Sequence, residues 1–497
     1  MSPLTYFFIS ALALVVGYFF YGRLVERIFK PDPDRRTPAV ALEDGIDYSP
    51  LPPKELLLNQ FLCISGIGPV FGAILGVLYG PAAFLWIVFG SIFAGGVHDY
   101  LSGMMSIRYR GESIPDVVGH ILGPGFRIFM RLFSLILLVL VGVVFVMAPA
   151  DLLASLTRIE NDRPFWVVLI FAYYFLATIL PIEILISRLN PFFTVILAFM
   201  ALGVFFALLI GDHPTYNWIE WRNTHPQNLP LWPLMFITIA CGAVSGFHAT
   251  QSPITARCMA SERQGRQIFY GSMIMEGVIA LIWATAGLTL YESSAALQEA
   301  LDTGGGASGV VSAICKTLLG DVGGLMAILG VVVLPITSGD TAFRAARLVL
   351  ADFFSLPQKS LLSRLAIAGP LFGAGVYLSQ VNFELIWRYF AWSNQTLATI
   401  VLWTGAAYLV RLGAWHWLAT IPATFMTVVV TTYILYVDLG FGLSYDWAVI
   451  GGLAAAALAL GLFLVSLRKF REKVPYELAS TDAPGLEKAE IKNLPVG

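Results

Sequence analysis

The stretch Gly242-Ala243-Val244-Ser245-Gly246-Phe247-His248-Ala249-Thr250-Gln251-Ser252-Pro253 lies inside a long apolar segment, Leu231 to Ala260. It is too polar and too broken for an ordinary lipid-facing helix. Its glycines loosen the backbone, and Pro253 withholds an amide donor and clashes with the preceding turn. In a bilayer such a break is tolerated only where the freed amides and carbonyls face protein, water or a ligand. A second break, Ser65-Gly66-Ile67-Gly68-Pro69, interrupts the segment Leu57 to Leu78. Two interrupted helices that each open a comparable group of helices point to the central site of a transporter.

The chain is 57% apolar and 12% charged, with a mean hydropathy of +0.76. A soluble domain carries about 25% charged residues, so this is a polytopic membrane protein. The net charge of -2 identifies no partner. Its basic residues are dispersed among short loops, which excludes a nucleic-acid footprint. Leu4 to Leu24 is not followed by an A-x-A-like cleavage site and reads as a retained span. Cys63, Cys241, Cys258 and Cys315 form no disulfide or metal pattern.

Apolar stretches number about thirteen at the length a bilayer demands. Their approximate limits are 4–24, 57–79, 82–107, 125–149, 165–186, 190–210, 230–260, 268–291, 323–352, 362–379, 385–411, 415–437 and 446–467. Ala307 to Leu319 reads as a short interfacial helix. Residues 468–497 mix charge with Pro and Gly and read as a disordered cytoplasmic tail. Lys and Arg alternate between loops. The first loop holds Arg23, Arg27, Lys30, Arg35, Arg36 and Lys54, the third Arg108, Arg110 and Arg127, the fifth Arg188, the seventh Arg257, Arg263 and Arg266, and the ninth Arg344, Arg347, Lys359 and Arg364. The intervening loops are poor in base. Odd loops are therefore expected in the cytoplasm, with the N-terminus outside and the C-terminus inside a bacterial-type inner membrane.

Residues 57–210 and 230–411 then form two five-helix groups. Each begins with a broken helix, and an odd number of helices gives the groups opposite topology. The expected fold is all-α and polytopic, with a LeuT-like 5+5 inverted repeat core. Residues 1–56, with their single span and cytoplasmic loop, and the two spans in 412–467 would be peripheral.

Several blocks carry a resemblance: Asp44 to Tyr48, Ile64 to Val70, Gly95 to Tyr100 with His98-Asp99, Cys241 to His248, Gly271 to Gly277 with Glu276, Thr337 to Arg344, and Trp392 to Ala398. Over most of residues 31–411 the chain resembles the carbon starvation protein A family, which groups peptide and pyruvate transporters, and it looks like a short member. Longer members carry a His-His pair where this chain has Asn59-Gln60. The resemblance implies a fold related to the amino acid–polyamine–cation superfamily. It also implies transport of oligopeptides first and pyruvate second, with coupling generally to protons.

Half-helix ends expose amides with partial positive charge, suited to the carboxylate that peptides and pyruvate share. The expected substrate-binding residues are Ser65, Gly66 and Gly68 at the first break, and Ser245, Gly246, Phe247, His248, Thr250 and Gln251 at the second, with Asn394 lining the path. The competing reading is that the glycines only permit close helix packing. Histidine as a residue type can exchange a proton at physiological pH, so His248 is expected to carry a proton or bind substrate, unless it is only a hydrogen-bonded core histidine. Thr337, Ser338, Asp340 and Thr341 form an oxygen-rich set suited to a hard cation, with sodium at Ser338 and Thr341. The alternative is a structural Asp340–Arg344 pair. Asp99 and Glu276 are intramembrane carboxylates and hence candidates for proton coupling. Trp387, Tyr389 and Trp392 read as an interfacial belt, and Phe247 as a gate.

Walker-type G-x-x-x-x-G-K-[ST], H-E-x-x-H and G-x-S-x-G motifs are all lacking. The expectation is a non-enzyme without a cofactor, whose coupling ion is H+ or Na+. The expected partners are a small-molecule substrate (peptide or pyruvate) and the lipid bilayer, with no nucleic acid; a homo-oligomer is compatible with this. A sensor, a channel or an intramembrane enzyme are the alternatives from other classes.

Overall fold

The structure is a computed structural model that describes residues 2–157, 162–180, 190–211, 221–356, 358 and 360–472. Arg188, Lys359, residues 212–220 of the loop 211–229 and the tail from 473 onward, where disorder is expected, lie outside the described residues. Every named element among the described residues is a helix, and one isolated pairing, Leu51 with Met259, is the only strand-like contact there.

In chain order the main helices are α1 (Pro3–Phe29), α2 (Pro53–Ile64), α3 (Gly68–Tyr79), α4 (Ala82–Arg108), α5 (Ile114–Leu122), α6 (Pro124–Leu156), α7 (Asp162–Ile179), α8 (Asn190–Ile210), α9 (Leu231–Thr238), α10 (Gly246–Ala256), α11 (Glu262–Leu290), α12 (Ser294–Thr303), α13 (Gly306–Phe354), α14 (Leu361–Leu378), α15 (Phe383–Arg411), α16 (Trp417–Tyr436) and α17 (Tyr445–Val465). Among the described residues nine helices are long and apolar enough to cross a membrane, or ten if the bent pair α2–α3 is one span. The segments α9, α10 and α15 fall outside that criterion because the first two are short halves and the last carries Arg388, Asn394 and Gln395.

Both expected breaks are present. The axes of α2 and α3 bend by 59° across Ser65–Ile67, where glycine and Pro69 remove the local reasons to stay helical. The second break lies between α9 and α10, over Ile239–Ser245, with Ser245 extended. This differs from the sequence expectation, in which the break ran on to Pro253. Pro253 sits inside α10, which continues to Ala256; it forfeits one backbone bond without ending the helix. Gly246 to Gln251 are therefore the opening turns of a half-helix. Gly320, at φ 67, splits α13 and sets off the stretch expected to be a short interfacial helix.

Small residues bring the helices together. Gly142 lies under the ring of Phe343, Gly330 under Met200, and Gly339 under Tyr174. These contacts seat α13 against α6, α8 and α7, the packing mode expected where the hydrophobic effect does not drive helices together. The outer faces of α1, α8 and α17 remain largely apolar and exposed, whereas α4, α6 and α11 are buried along most of their length. A buried ion pair ties the end of α1 to this core: Arg108 of α4 makes two bonds of 3.1 Å to Glu262, and also donates to the Lys30 carbonyl at 3.0 Å.

Candidate functional site

The breaks touch each other. A Cβ on Gly68 would stand 2.4 Å from the Cβ of Cys241, so only glycine permits this approach. The backbone groups freed at the breaks are taken up by side chains of neighbouring helices. Trp86 Nε1 donates to the Ile239 carbonyl at 3.1 Å, Ser91 Oγ to that of Gly242 at 3.1 Å, and Gln395 Nε2 to that of Phe236 at 2.6 Å. Asn394 Oδ1 accepts from the Phe247 amide at 2.7 Å and from Ser245 Oγ at 3.1 Å. Asn394 thus caps α10 from α15, doing the work of an N-cap from outside the helix. At least one amide expected to await a substrate carboxylate is already bonded. Gln60 and Thr255 join the two half-helices by a bond of 2.6 Å.

An aromatic group closes over the first break. The Phe145 ring lies on Gly66, where a Cβ would be 2.3 Å from Phe145 Cζ. Phe145 also packs edge-on against Phe247 and Phe390 at 5.7 and 6.0 Å, and Trp387 stands 5.5 Å from Phe390. Phe247, expected as a gate, is buried within this aromatic group. Trp387 belongs to this inner group instead of to an interfacial belt, whereas Tyr389 is exposed and Trp392 bonds to the Val430 carbonyl. Ser65 is fully buried beside the break, and its hydroxyl has no hydrogen-bond partner among the described residues. Thr250 Oγ1 bonds back to the Phe247 carbonyl at 2.6 Å and accepts from Gln251 Nε2 at 3.0 Å.

Three of the residues singled out from the sequence meet in one buried line, with a fourth that was noted only inside a motif. Asp99 of α4 receives both histidines: His98 Nδ1 lies 2.8 Å from Oδ1, and His248 Nδ1 lies 2.9 Å from Oδ2. His248 Nε2 lies 3.2 Å from Glu276 Oε2 on α11, at ion-pair distance but outside hydrogen-bond geometry. All four side chains are 0% exposed. The arrangement constrains its protons. With Asp99 ionised, each Nδ1 carries hydrogen and donates to one of its oxygens. The lone pair left on neutral His248 Nε2 would then oppose a Glu276 carboxylate. A proton between them, on either atom, relieves that repulsion. The wide turn at Gly90–Gly95 immediately precedes His98 and Asp99, in keeping with the placement of such turns near functional side chains.

The oxygen-rich segment of α13 meets the first break. Thr337 Oγ1 and Ser338 Oγ donate to the Leu62 carbonyl at 3.0 and 3.1 Å. Thr341 Oγ1 bonds within its own helix, to the carbonyls of Thr337 and Ser338. Asp340 accepts from Tyr173 at 2.9 Å, while Arg344 turns to Asp47 at 3.8 Å and to the carbonyl of Leu180 at 2.8 Å. The expected Asp340–Arg344 pairing gives way to these partners. Among the described residues no three His, Cys, Asp or Glu side chains converge as a metal centre would require.

At one end of these helices lies a feature the sequence did not reveal. The segment from Asp44 to Leu51 folds over the ends of α10 and α13. Asp47 faces Arg347 at 3.4 Å and Arg344 at 3.8 Å. Burial alone would raise the Asp47 carboxyl, but the guanidiniums of Arg347, Arg257, Arg344 and Arg364 outweigh it and hold it below the usual carboxylate range.

Three consecutive matches to the carbon starvation protein CstA family model cover residues 2–158, 150–313 and 298–433. The chain belongs to the CstA family. A relative described as an uncharacterized membrane protein of Haemophilus influenzae is 42% identical over 353 residues, 61% of this chain and 95% of its own length. The peptide transporter CstA of Escherichia coli is 24% identical over 85% of this chain and 79% of its own. The pyruvate/proton symporter BtsT of the same organism is 28% identical over 55% of this chain and 47% of its own. A variant of the manganese transporter of Eremococcus coleocola aligns with 86% of this chain and 99% of its own at a TM-score of 0.56 and 12% identity. MhsT in complex with L-phenylalanine aligns with 83% and 98% at 0.53 and 13%. At such identities these likenesses concern the fold alone, an all-helical multi-span architecture. This CstA-family chain is thus a multi-span membrane protein of a bacterial transporter family.

Proposed function

We propose that this chain is a secondary active transporter that imports small carboxylate-bearing nutrients, peptides first and pyruvate second, by proton-coupled alternating access. The observation that carries the reading is the buried line His98–Asp99–His248–Glu276, which stands beside the second break and can hold a proton at its His248–Glu276 junction. Peptide transport follows the names of the longer relatives, and pyruvate and proton coupling follow BtsT.

Thirteen spans, two five-helix repeats over 57–210 and 230–411, an outside N-terminus and a cytoplasmic C-terminus complete the proposal. The bent pair α2–α3 and the split pair α9–α10, each opening one group, support the repeat. In this frame Ser65, Gly66, Gly68, Ser245, Gly246, Phe247, Thr250 and Gln251 shape the cargo site, Asn394 holds it, and His248 with Asp99 and Glu276 carries the proton. Sodium is the second reading, favoured by the two hydroxyls of Thr337 and Ser338 on the Leu62 carbonyl.

The test is uptake of labelled dialanine and labelled pyruvate into proteoliposomes under imposed proton or sodium gradients. Accumulation driven by a proton gradient without sodium is expected. Accumulation that needs sodium, persists with a protonophore, and disappears in Ser338→Ala would replace the proton with sodium. Uptake that equilibrates without counterflow would make the chain a channel. A cysteine at Ser2 that labels only from the cytoplasmic face would reverse the topology.

A further inference from the structure

The arginines at the end of α10 and α13 are more than the mechanism above uses. Arg257 caps α10, and Arg344 and Arg347 lie one turn apart on α13; all three are buried. Counted along the helices, Arg344 is about 10 Å beyond Thr337, and Arg257 about 14 Å beyond His248. Buried cations are costly unless paired and fully hydrogen-bonded. Arg347 shares the single carboxylate of Asp47 with Arg344 and also donates to Gln358. Even so, Arg344 Nη1 and Arg347 Nε have no hydrogen-bond partner among the described residues. Arg257 donates to the Gly111 carbonyl at 2.7 Å and lies over the Tyr48 ring at 5.1 Å. Asp352 adds negative charge near Arg257 and Asp340 near Arg344, but Asp47 is the carboxylate at ion-pair distance from the cluster.

That carboxylate arrives on a strap. Asp44 Oδ1 accepts the amides of Ile46, Asp47 and Tyr48 at 2.9, 3.0 and 3.0 Å, making a compact tip. Tyr48 bonds to the Arg110 carbonyl, Ser49 to that of Arg257, and Leu51 to that of Cys258. Pro52 and Pro53 follow at once and open α2, the half-helix that ends at the first break. Two prolines make a stiff joint, so displacement of α2 moves the strap. A cavity of about 10 Å³ is lined by Thr250 and Arg257, with Ser113, Pro253, Ile254 and Leu348 among its other walls.

We propose that Arg257, Arg344 and Arg347 form a second carboxylate-binding site on the transport path, closed by Asp47 of the strap, which the cargo's own carboxylate displaces as it passes. The proposal rests on the carboxylate-bearing cargo inferred above. The strap is then a gate whose latch imitates the ligand. It leaves the arginines paired when no cargo is present, and α2 couples its motion to the first break.

The test uses the full-length protein in proteoliposomes and follows N-ethylmaleimide on Cys258 by mass spectrometry, because the strap covers that buried thiol. Asp47→Asn is expected to label roughly tenfold faster or more, since the closed state loses one partner of a buried ion pair. Sodium acetate, compared with sodium chloride at equal ionic strength, is expected to slow labelling in Asp47→Asn and to have no effect in Asp47→Asn combined with Arg347→Gln. Unchanged labelling in Asp47→Asn, or labelling indifferent to acetate, overturns the proposal. If that variant does not fold, wild-type protein carries the test: dialanine or pyruvate should accelerate Cys258 labelling in vesicles that take up the same compound. Uptake without acceleration overturns the gate. Acetate-sensitive labelling in the variant without uptake of either cargo leaves the gate standing and overturns the cargo assignment.

Discussion

Glu276→Gln removes the need for a proton at the end of the buried line while keeping the shape of the side chain. In the wild-type core His248 Nε2 faces Glu276 Oε2 at 3.2 Å, the junction proposed to hold a proton. A glutamine amide donates to the imidazole lone pair by itself, so the contact stands and the proton becomes unnecessary. One proton coupled per cycle is the proposed stoichiometry. One pH unit across the membrane is then worth about 1.4 kcal/mol per proton, or tenfold in accumulation. With the interior more alkaline by about two units and the membrane potential clamped to zero, wild-type vesicles should concentrate the transported cargo ~100-fold and the variant not at all. Counterflow on the same vesicles, with no pH gradient, should persist in the variant. Accumulation by Glu276→Gln that still follows the pH gradient would refute the reasoning. So would a wild-type ratio indifferent to that gradient, or loss of counterflow together with accumulation, since the glutamate would then be holding the core together and not moving a proton.

Three further outcomes follow from the packing. Gly66→Ala would drive a methyl into the Phe145 ring. Overpacking of this kind costs about 1–3 kcal/mol, read as a lower thermal transition and lost uptake, and Phe145→Leu in the same chain should restore part of both. Gly246→Ala brings a Cβ within 2.3 Å of the Asn394 carbonyl and 2.6 Å of the Ala398 amide. Both are backbone of α15 and cannot yield, so even this small change should reduce the folded fraction in size-exclusion chromatography, and Gly246→Leu should abolish it; a well-folded Gly246→Leu would contradict the packing. Asn394→Leu deletes the acceptor that caps α10, at about 1–2 kcal/mol for the cap alone. Asn394→Asp keeps both contacts and should unfold at a temperature closer to wild type, a ranking that a melting series would reverse if the cap is unimportant.

The breaks were legible because glycine and proline interrupt apolar runs too polar for lipid, and the all-helical, multi-span character was legible from hydropathy. The exact edge of the second break was not. Pro253 is the louder signal in the sequence, but the chain leaves the helix at Ile239 and returns at Gly246. The reason is tertiary: Asn394, Ser91 and Trp86 take up the freed backbone groups there. His248, Asp99 and Glu276 were each recognisable as charges in the wrong solvent, although nothing in their spacing announced that they meet, and His98 was noticed only as part of a motif. Phe145 had no signal at all, because an apolar residue in an apolar helix is silent until its partner glycine is known. Asp47 was missed for the opposite reason. A carboxylate in a basic loop looks solvated, and only the fold reveals that it is buried among guanidiniums.

The direct contact between the two breaks, with Gly68 against Cys241, has a consequence for selectivity. With the cargo site at the breaks, as proposed, room for cargo is made by parting the half-helices, so binding includes the work of separation. The observed affinity is then the intrinsic one reduced by the population of parted molecules. A cargo that needs more room needs a rarer conformation, and must offset that with contacts of its own. Such a protein sorts by work done against its own packing more than by fit to a ready mould. Across a series from pyruvate through dialanine to a tetrapeptide, KM should follow length, and Cys241→Gly, by easing the contact at the centre, should flatten that dependence.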